Sequence, residues 1–265
     1  MSDRSPQSRS TVFLMYHELE LPGRALVETE PGYVRYILSA DKFRSQIEWL
    51  KQQGWRGLSV SEALRFEPGN SVAVTFDDGC ETDLIAAAPI LKEAGFGATF
   101  YVTAGRVDAA GFLSRQQLRE LDGMGFEIGC HSMTHAYLND IGTEELRTEI
   151  AAARRTLRDF TGSRIDHFSC PGGRYDERAL AVAREAGYRT VTNSRAYANH
   201  PATDPYQLGR VAIMRSVDQT EFVRICHGQG LWKMRLSETL RGTAKRMIGN
   251  RGYDSIRRVL LRRGM

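Results

Sequence analysis

The chain has 265 residues, enough for one large α/β domain or two small ones, and its 42% hydrophobic and 26% charged residues are ordinary for a globular protein. Its formal net charge is +4, but residues 231–265 carry ten Lys and Arg against two acidic residues, so the preceding 230 residues sum to −4. This balance excludes, for the body of the chain, the basic surface that nucleic-acid binding requires.

Residues 1–10 are polar and are predicted to be disordered. No apolar h-region of a signal peptide follows them, and no run approaches eighteen apolar residues. We therefore expect no signal peptide, no membrane span and a cytoplasmic location. The four cysteines are widely spaced and form no CxxC pair, which argues against a zinc finger or a disulfide scaffold.

Short apolar strands alternate with helices along residues 11–230. Hydrophobic patterning predicts seven strands, at 11–17, 71–76, 97–103, 126–132, 165–170, 188–193 and 208–213. It predicts six helices, at 39–54, 83–95, 114–125, 143–162, 176–187 and 217–228, and Pro89 should kink or restart the second. Residues 18–33 are predicted to form a loop. This alternation is typical of parallel β/α units, and their number favours a barrel-like closure over the alternative, a doubly wound open sheet.

Two adjacent carboxylates, Asp77 and Asp78, follow the predicted strand at 71–76. In parallel α/β folds the carboxyl ends of the strands carry function. Neighbouring residues at a strand end point different ways, so one carboxylate could face a metal ion while the other faces substrate or water. The alternative is structural, because Asp-Asp-Gly is also good turn chemistry before a helix.

Two further strand ends carry polar motifs. In CHSMTH, His131 and His135 are four residues apart, which would place both imidazoles on one face if the segment turns helically. Two His and one Asp would leave open positions on zinc, as catalytic sites need, although an incidental pair is the alternative. In FSCPGGRYD, Gly172 and Gly173 could offer backbone N–H groups to a reacting oxygen, or simply form a Pro-Gly turn.

These three stretches, in this order, resemble the motifs of the polysaccharide deacetylase family, also called the NodB-homology domain or carbohydrate esterase family 4. TFDDG at 75–79 and HSMTH at 131–135 match closely, CPGGRYD matches weakly, and the resemblance covers about residues 11–215. It implies a distorted (β/α) barrel that hydrolyses an N-acetyl, sometimes O-acetyl, group on a sugar. It further implies Asp78, His131 and His135 as ligands of zinc or a similar divalent metal, Asp77 as general base, and Gly172 as an oxyanion donor.

The sequence departs from the family pattern at two places. Ser169 stands where the family has an Arg that steadies the catalytic Asp, and Arg174 or Arg210 could take over that role. The late catalytic His of the family has no clear counterpart. His17 ends the first predicted strand, in a Tyr-His pair that resembles members from exopolysaccharide pathways, and we assign it the role of general acid. The alternative is that His17 has no catalytic role and forms hydrogen bonds to neighbouring backbone groups.

The last segment, residues 231–265, is basic and partly amphipathic. It could rest on an anionic membrane with Trp232 as an interfacial anchor, or pack as a solvated helix on the barrel exterior. Taken together, the sequence predicts a metal-dependent hydrolase that deacetylates an aminosugar in a cell-surface glycan or its lipid-linked precursor, with no nucleic-acid partner. The alternatives are a catalytically silent glycan binder and a deacylase acting on a non-sugar amide.

Overall fold

The structure, a computed structural model, describes residues 10–67 and 69–236. Its strands are β1 Val12–Tyr16, β2 Leu19–Glu20, β3 Leu38–Ser39, β4 Arg56–Leu58, β5 Ser71–Phe76, β6 Thr99–Val102, β7 Glu127–Cys130, β8 His167–Ser169, β9 Thr190–Thr192 and β10 Val211–Ala212. Strands β2 and β3 pair with each other, and the other eight form one sheet.

All pairs in the eight-stranded sheet are parallel, and the order is β10-β1-β5-β6-β7-β8-β9, with β4 beside the first half of β5. The extended segment that leads into β10 also touches β9 through a parallel bridge between Thr192 and Leu208. The sheet thus curls back on itself. The distorted (β/α) barrel of about seven parallel strands is confirmed, and the open doubly wound alternative is wrong.

Helices form many of the connections between the strands. They are α1 Pro31–Val34, α2 Ala40–Gln52, α3 Val60–Ala63, α4 Ala88–Ala94, α5 Arg115–Gly123, α6 Thr143–Leu146, α7 Ala153–Thr161, α8 Glu177–Glu185 and α9 Gln219–Cys226. A π-helical turn, Asp83–Ala87, precedes α4, so the predicted helix restarts just before Pro89, which occupies the first turn of α4. A second π-helical segment, Arg147–Ala152, joins α6 to α7.

The main apolar core lies between the sheet and the helices, and a smaller cluster fills the barrel interior. Phe13, Ala73 and Tyr101, from three strands, pack in that interior with two residues of α3. Because strand side chains alternate, residues of the same parity further along each strand also point inward. Gly129 of β7 leaves the space that Tyr101 occupies, since a Cβ there would lie 2.4 Å from the Tyr101 ring.

A buried polar cluster closes the amino end of the barrel. His167, at the start of β8, shares a hydrogen bond of 2.8 Å with Ser61 Oγ through Nε2 and one of 2.8 Å with Thr190 Oγ1 through Nδ1. Its Nε2 also lies 3.2 Å from Glu127 Oε1 at the start of β7. Glu127 Oε2 accepts a hydrogen bond from Thr99 Oγ1 at the start of β6. These contacts satisfy polar groups far from the strand ends that carry the motifs.

Three features of the fold differ from the sequence prediction or lie beyond it. Strand β4 and helix α3 were not predicted, and the predicted loop 18–33 contains β2 and the start of α1. The predicted disorder of residues 1–10 and the amphipathic segment 231–265 lie outside the described residues, except for residue 10 and residues 231–236. Across residues 10–67 and 69–236, none of the helices is both long and apolar enough to span a membrane.

Candidate active site

The motif residues meet at the carboxyl end of the barrel. Asp77 follows β5, His131 follows β7 and His17 follows β1, and each continues the inward-pointing parity of its strand. Strands β1 and β5 pair in register up to Tyr16 and Phe76, which places His17 beside Asp77. The curled sheet therefore gathers residues that are up to 114 positions apart in sequence at one rim.

Asp78, His131 and His135 form a cluster that fits a metal ion. Their ligand atoms all lie within 4.8 Å of one another. Asp78 Oδ1 lies 3.3 Å from His135 Nε2 and 3.8 Å from His131 Nε2. This oxygen is buried and has no hydrogen-bond partner among the described residues. Donors so spaced need only small side-chain shifts to come within about 2.0–2.2 Å of one central ion, the range of zinc–nitrogen and zinc–oxygen bonds.

Both imidazoles are held in the neutral form that metal binding requires. Burial lowers the pKa of His131 to about 3 and that of His135 to about 4. His131 Nδ1 lies 2.9 Å from the carbonyl oxygen of Ser169, which can only accept, so Nδ1 carries the proton and Nε2 keeps its lone pair. Ser169 thereby orients the imidazole toward Asp78.

Backbone strain concentrates at these residues. In the described part of the chain, five residues other than glycine have positive φ, and Asp78, Ser132 and His135 are three of them, at 83°, 67° and 68°. Such conformations are costly for residues with a Cβ, and they persist where the surrounding structure imposes them. The helical turn on which the sequence argument for HSMTH was conditional does not form: the segment is an irregular loop that still brings both imidazoles together.

Asp77 forms a buried, two-pronged ion pair with Arg210. The Arg210 guanidinium donates from Nη1 to Asp77 Oδ1 at 2.6 Å and from Nη2 to Asp77 Oδ2 at 2.7 Å, and both side chains are almost fully buried. Burial alone would raise the pKa of Asp77. The Arg210 guanidinium, through its charge and its hydrogen bonds, outweighs burial and holds that pKa well below its usual range. Asp77 is therefore an ionised acceptor beside the cluster, with Oδ2 3.8 Å from His131 Nε2.

Of the two arginines that could steady Asp77, Arg210 occupies the place and Arg174 does not. Arg210 Nη2 also donates to Ser169 Oγ at 2.7 Å, so the serine contributes to the same network that the family's Arg would occupy. The Arg174 guanidinium instead lies 3.8 Å from the centre of the Tyr137 ring. Arg210 therefore takes the part of steadying Asp77, and the catalytic role of Arg174 stays a prediction.

His17 lies at the same rim. Its Nδ1 is buried and has no hydrogen-bond partner among the described residues, and its ring packs against Tyr36 at 5.0 Å between centroids. Burial lowers the pKa of His17 from its ordinary value, while Asp78 and Asp77 act in the opposite direction. Nδ1 therefore does not support the alternative that neighbouring backbone groups satisfy His17 by hydrogen bonds. The role of His17 as general acid stays a prediction.

Gly172 is exposed and adopts a left-handed conformation with φ of 59°. A Cβ at this position would lie 2.9 Å from the Tyr137 ring, so the turn needs glycine there. The turn follows β8, next to the Ser169 carbonyl that contacts His131. The N–H group of Gly172 therefore belongs to the rim of the site, and the role of Gly172 as an oxyanion donor stays a prediction.

The sequence analysis did not single out two residues that lie near the cluster. Arg106 Nη1 lies 3.9 Å from Asp78 Oδ1, and its guanidinium stands over the Phe112 ring. Glu18, immediately after His17, is buried and accepts hydrogen bonds from the N–H of Val27 and the hydroxyl of Tyr33. Its position next to a strand end was the one available hint, and the contacts show that it anchors the following loop.

The cysteines that flank the motifs take no part in the cluster. Cys80, Cys130 and Cys170 are free and buried, and burial raises the pKa of Cys130 to about 12. These thiols are therefore protonated packing residues at neutral pH.

Comparison with known proteins bears on both the fold and the site. The sequence model of the polysaccharide deacetylase family matches residues 66–191. The Bacillus subtilis protein YxkH is 26% identical over 187 residues, which are 68% of this chain and 67% of YxkH. The poly-beta-1,6-N-acetyl-D-glucosamine N-deacetylase of Staphylococcus aureus is 27% identical over 198 residues, which are 67% of this chain and 68% of that enzyme.

A solved structure shares the fold. The deacetylase PplD of Streptococcus pyogenes, solved in complex with acetate, superposes with a TM-score of 0.73 at 23% identity. The match covers 82% of this chain and 98% of PplD, so the curled parallel sheet and its helices are common to both proteins.

Proposed function

Since this chain belongs to the polysaccharide deacetylase family, we propose that it is a metal-dependent hydrolase that removes the N-acetyl group from an acetylated aminosugar in a glycan. One observation carries the proposal: the cluster of Asp78, His131 and His135 lies beside an ionised Asp77 that Arg210 holds in place. The name of the Staphylococcus aureus relative supports an N-acetylglucosamine polymer as the substrate class.

Zinc or a similar divalent ion would be held by Asp78, His131 and His135, and when bound it lowers the pKa of water and polarises a carbonyl. Asp77 would accept the proton of the attacking water, because its carboxylate is ionised and lies next to the cluster. Arg210 donates to both oxygens of Asp77 and so holds the carboxylate in one orientation beside the cluster.

Two rim residues would complete the reaction. The N–H of Gly172 would donate to the acetyl oxygen as negative charge develops on it. His17 would donate a proton to the departing amine, which otherwise leaves as a poor leaving group. Burial favours the neutral form of His17 in the free protein. His17 must therefore take up the proton that it donates before or during the reaction.

The test combines metal content with acetate release. The purified protein, its Asp77→Asn variant and its His131→Ala/His135→Ala variant are loaded with zinc and analysed for metal. Acetate is then measured with oligomers of N-acetylglucosamine and, in parallel, with N-acetylated peptides. We expect about one ion per chain in the wild type and in Asp77→Asn, none in the double variant, and acetate release by the wild type alone.

Two results would contradict the proposal. A wild-type protein that binds no ion after zinc loading would exclude the metal-dependent mechanism and favour a silent glycan binder. Acetate release from peptides but not from sugar oligomers would keep the mechanism and exclude the aminosugar substrate.

A further inference from the structure

The loop that carries the two candidate metal-binding histidines is held in a strained shape from both sides. Ser132 and His135 have positive φ, and Ser132 Oγ accepts a hydrogen bond of 2.9 Å from His135 N. On one side, Ala104 N and Gly105 N donate to the carbonyl oxygens of Ser132 and Met133 at 3.0 and 2.8 Å. A strained loop of this kind needs contacts on its other side as well.

The other side is held by the carboxylate of Glu149. Glu149 Oε2 accepts hydrogen bonds from Met133 N at 3.0 Å and Thr134 N at 2.9 Å. Glu149 Oε1 accepts a third from Thr134 Oγ1 at 2.7 Å. The Glu149 side chain is buried, so water cannot easily replace these bonds.

Glu149 comes from a different element, the π-helical segment between α6 and α7. A π turn inserts an extra residue into a helix and shifts the side chains that precede it, and such turns are frequent at functional sites. Here the irregular turn contains a buried carboxylate that accepts hydrogen bonds from the backbone N–H groups of the HSMTH loop. The helix thus supplies acceptors that the loop's own backbone cannot provide.

We propose that Glu149 is a positioning residue for metal binding: it fixes the backbone between His131 and His135 and so sets the distance between their imidazoles. The inference rests on the proposed metal-dependent function. Metal affinity depends steeply on ligand geometry, and outer-shell partners of metal ligands typically change it by about 10–100-fold. Glu149 acts one step further out, through the backbone that joins the two ligands.

Three variants and one matched control test this role. Glu149→Met keeps the side-chain length and removes every acceptor, whereas Glu149→Gln keeps an acceptor for the two N–H groups and can donate to Thr134 Oγ1. Glu149→Asp keeps the charge but withdraws it by one methylene group. Glu127→Met makes the same change in the partly buried carboxylate at the amino end of the barrel, where it destabilises the fold without touching the site.

Zinc affinity is measured by competition with a chelator, and the visible spectrum of the cobalt(II)-loaded protein reports ligand geometry. We expect Glu149→Met to bind zinc about 10–100-fold more weakly with an altered cobalt spectrum, and Glu149→Gln to recover most of the loss. Glu127→Met should match wild type in both. If Glu149→Met does not fold, Glu149→Asp should show the same weakening to a smaller degree.

Equal zinc affinity in wild type and in the folded Glu149 variants would overturn the positioning role while leaving the metal-dependent function intact. An equal loss in Glu127→Met would also overturn it, because the effect would then follow from general destabilisation. Absence of zinc binding by the wild type would instead overturn the proposed function and, with it, this inference.

Discussion

Replacing Arg210 with Met should destabilise the protein far more than replacing a surface arginine. Arg210 is fully buried, and its guanidinium donates to both oxygens of Asp77. Met fills much of the same volume but carries no donor. The variant therefore leaves the Asp77 carboxylate buried without its counter-charge.

The magnitude follows from the burial of the pair. Removing one partner of a buried ion pair costs about 3–5 kcal/mol in free energy of unfolding. A domain of this size loses about 2–4 °C of melting temperature per kcal/mol, so the midpoint should fall by about 6–20 °C. Arg44→Met is the matched control, because Arg44 pairs with the largely exposed Glu93 and should contribute less than about 1 kcal/mol.

The assay is thermal and urea unfolding at pH 7, followed by the pH dependence of kcat/KM. Without Arg210, burial dominates and the pKa of Asp77 rises. Asp77 must be ionised to accept a proton, so the acidic limb of the pH profile should move to higher pH. A midpoint shift no larger than that of Arg44→Met, with an unmoved acidic limb, would refute the reasoning.

The remaining predictions concern three other residues. His17→Ala should lower kcat by about 10²-fold in acetate-release assays while leaving zinc content unchanged, and an unaltered kcat would assign the acid role elsewhere. Burial alone would raise the pKa of Glu127, but His167 and the hydroxyl groups of Ser61 and Thr99 outweigh burial and hold that pKa at about 2. The stability that ionised Glu127 adds to the fold is therefore complete above pH 4.5 and disappears as the pH falls toward 2. Between pH 4.5 and about 2, the free energy of unfolding in urea should therefore fall by up to about 3 kcal/mol less in Glu127→Gln than in the wild type. The same fall in both proteins would contradict this. Gly172→Ala should be destabilised by about 1 kcal/mol or more in thermal unfolding, since its Cβ would press on the Tyr137 ring, and a stability equal to wild type would show that the turn relaxes.

Much of the fold and part of the site could be predicted because they depend on local pattern. Alternating apolar strands and helices indicate parallel β/α units. Polar residues directly after those strands must share one rim, which predicts that Asp78 and His131 meet. Strand β4 escaped prediction because its three residues, Arg-Gly-Leu, are too few to show a period.

The partner of Asp77 could not be chosen from sequence for a geometric reason. Arg174 stands close to a motif, whereas Arg210 lies 133 residues from Asp77 and meets it because β10 pairs with β1 next to β5. Only the closure of the sheet decides between them. Glu127 had one available signal, since it shares the inward parity of His131 on β7 and a charge at an inward position needs a partner.

The Arg210–Asp77 pair also sets a time at which the protein can become competent during synthesis. Asp77 and the segment 66–191, which matches the family, emerge from the ribosome well before Arg210 does. At about 5–20 residues per second, the interval of 133 residues lasts on the order of 10 s. Over the last 75 residues of that interval, after His135 and before Arg210, the nascent chain holds the three candidate metal ligands but an aspartate without its counter-charge. A ribosome-bound chain stalled before residue 210 should therefore be able to acquire an ion while remaining inactive.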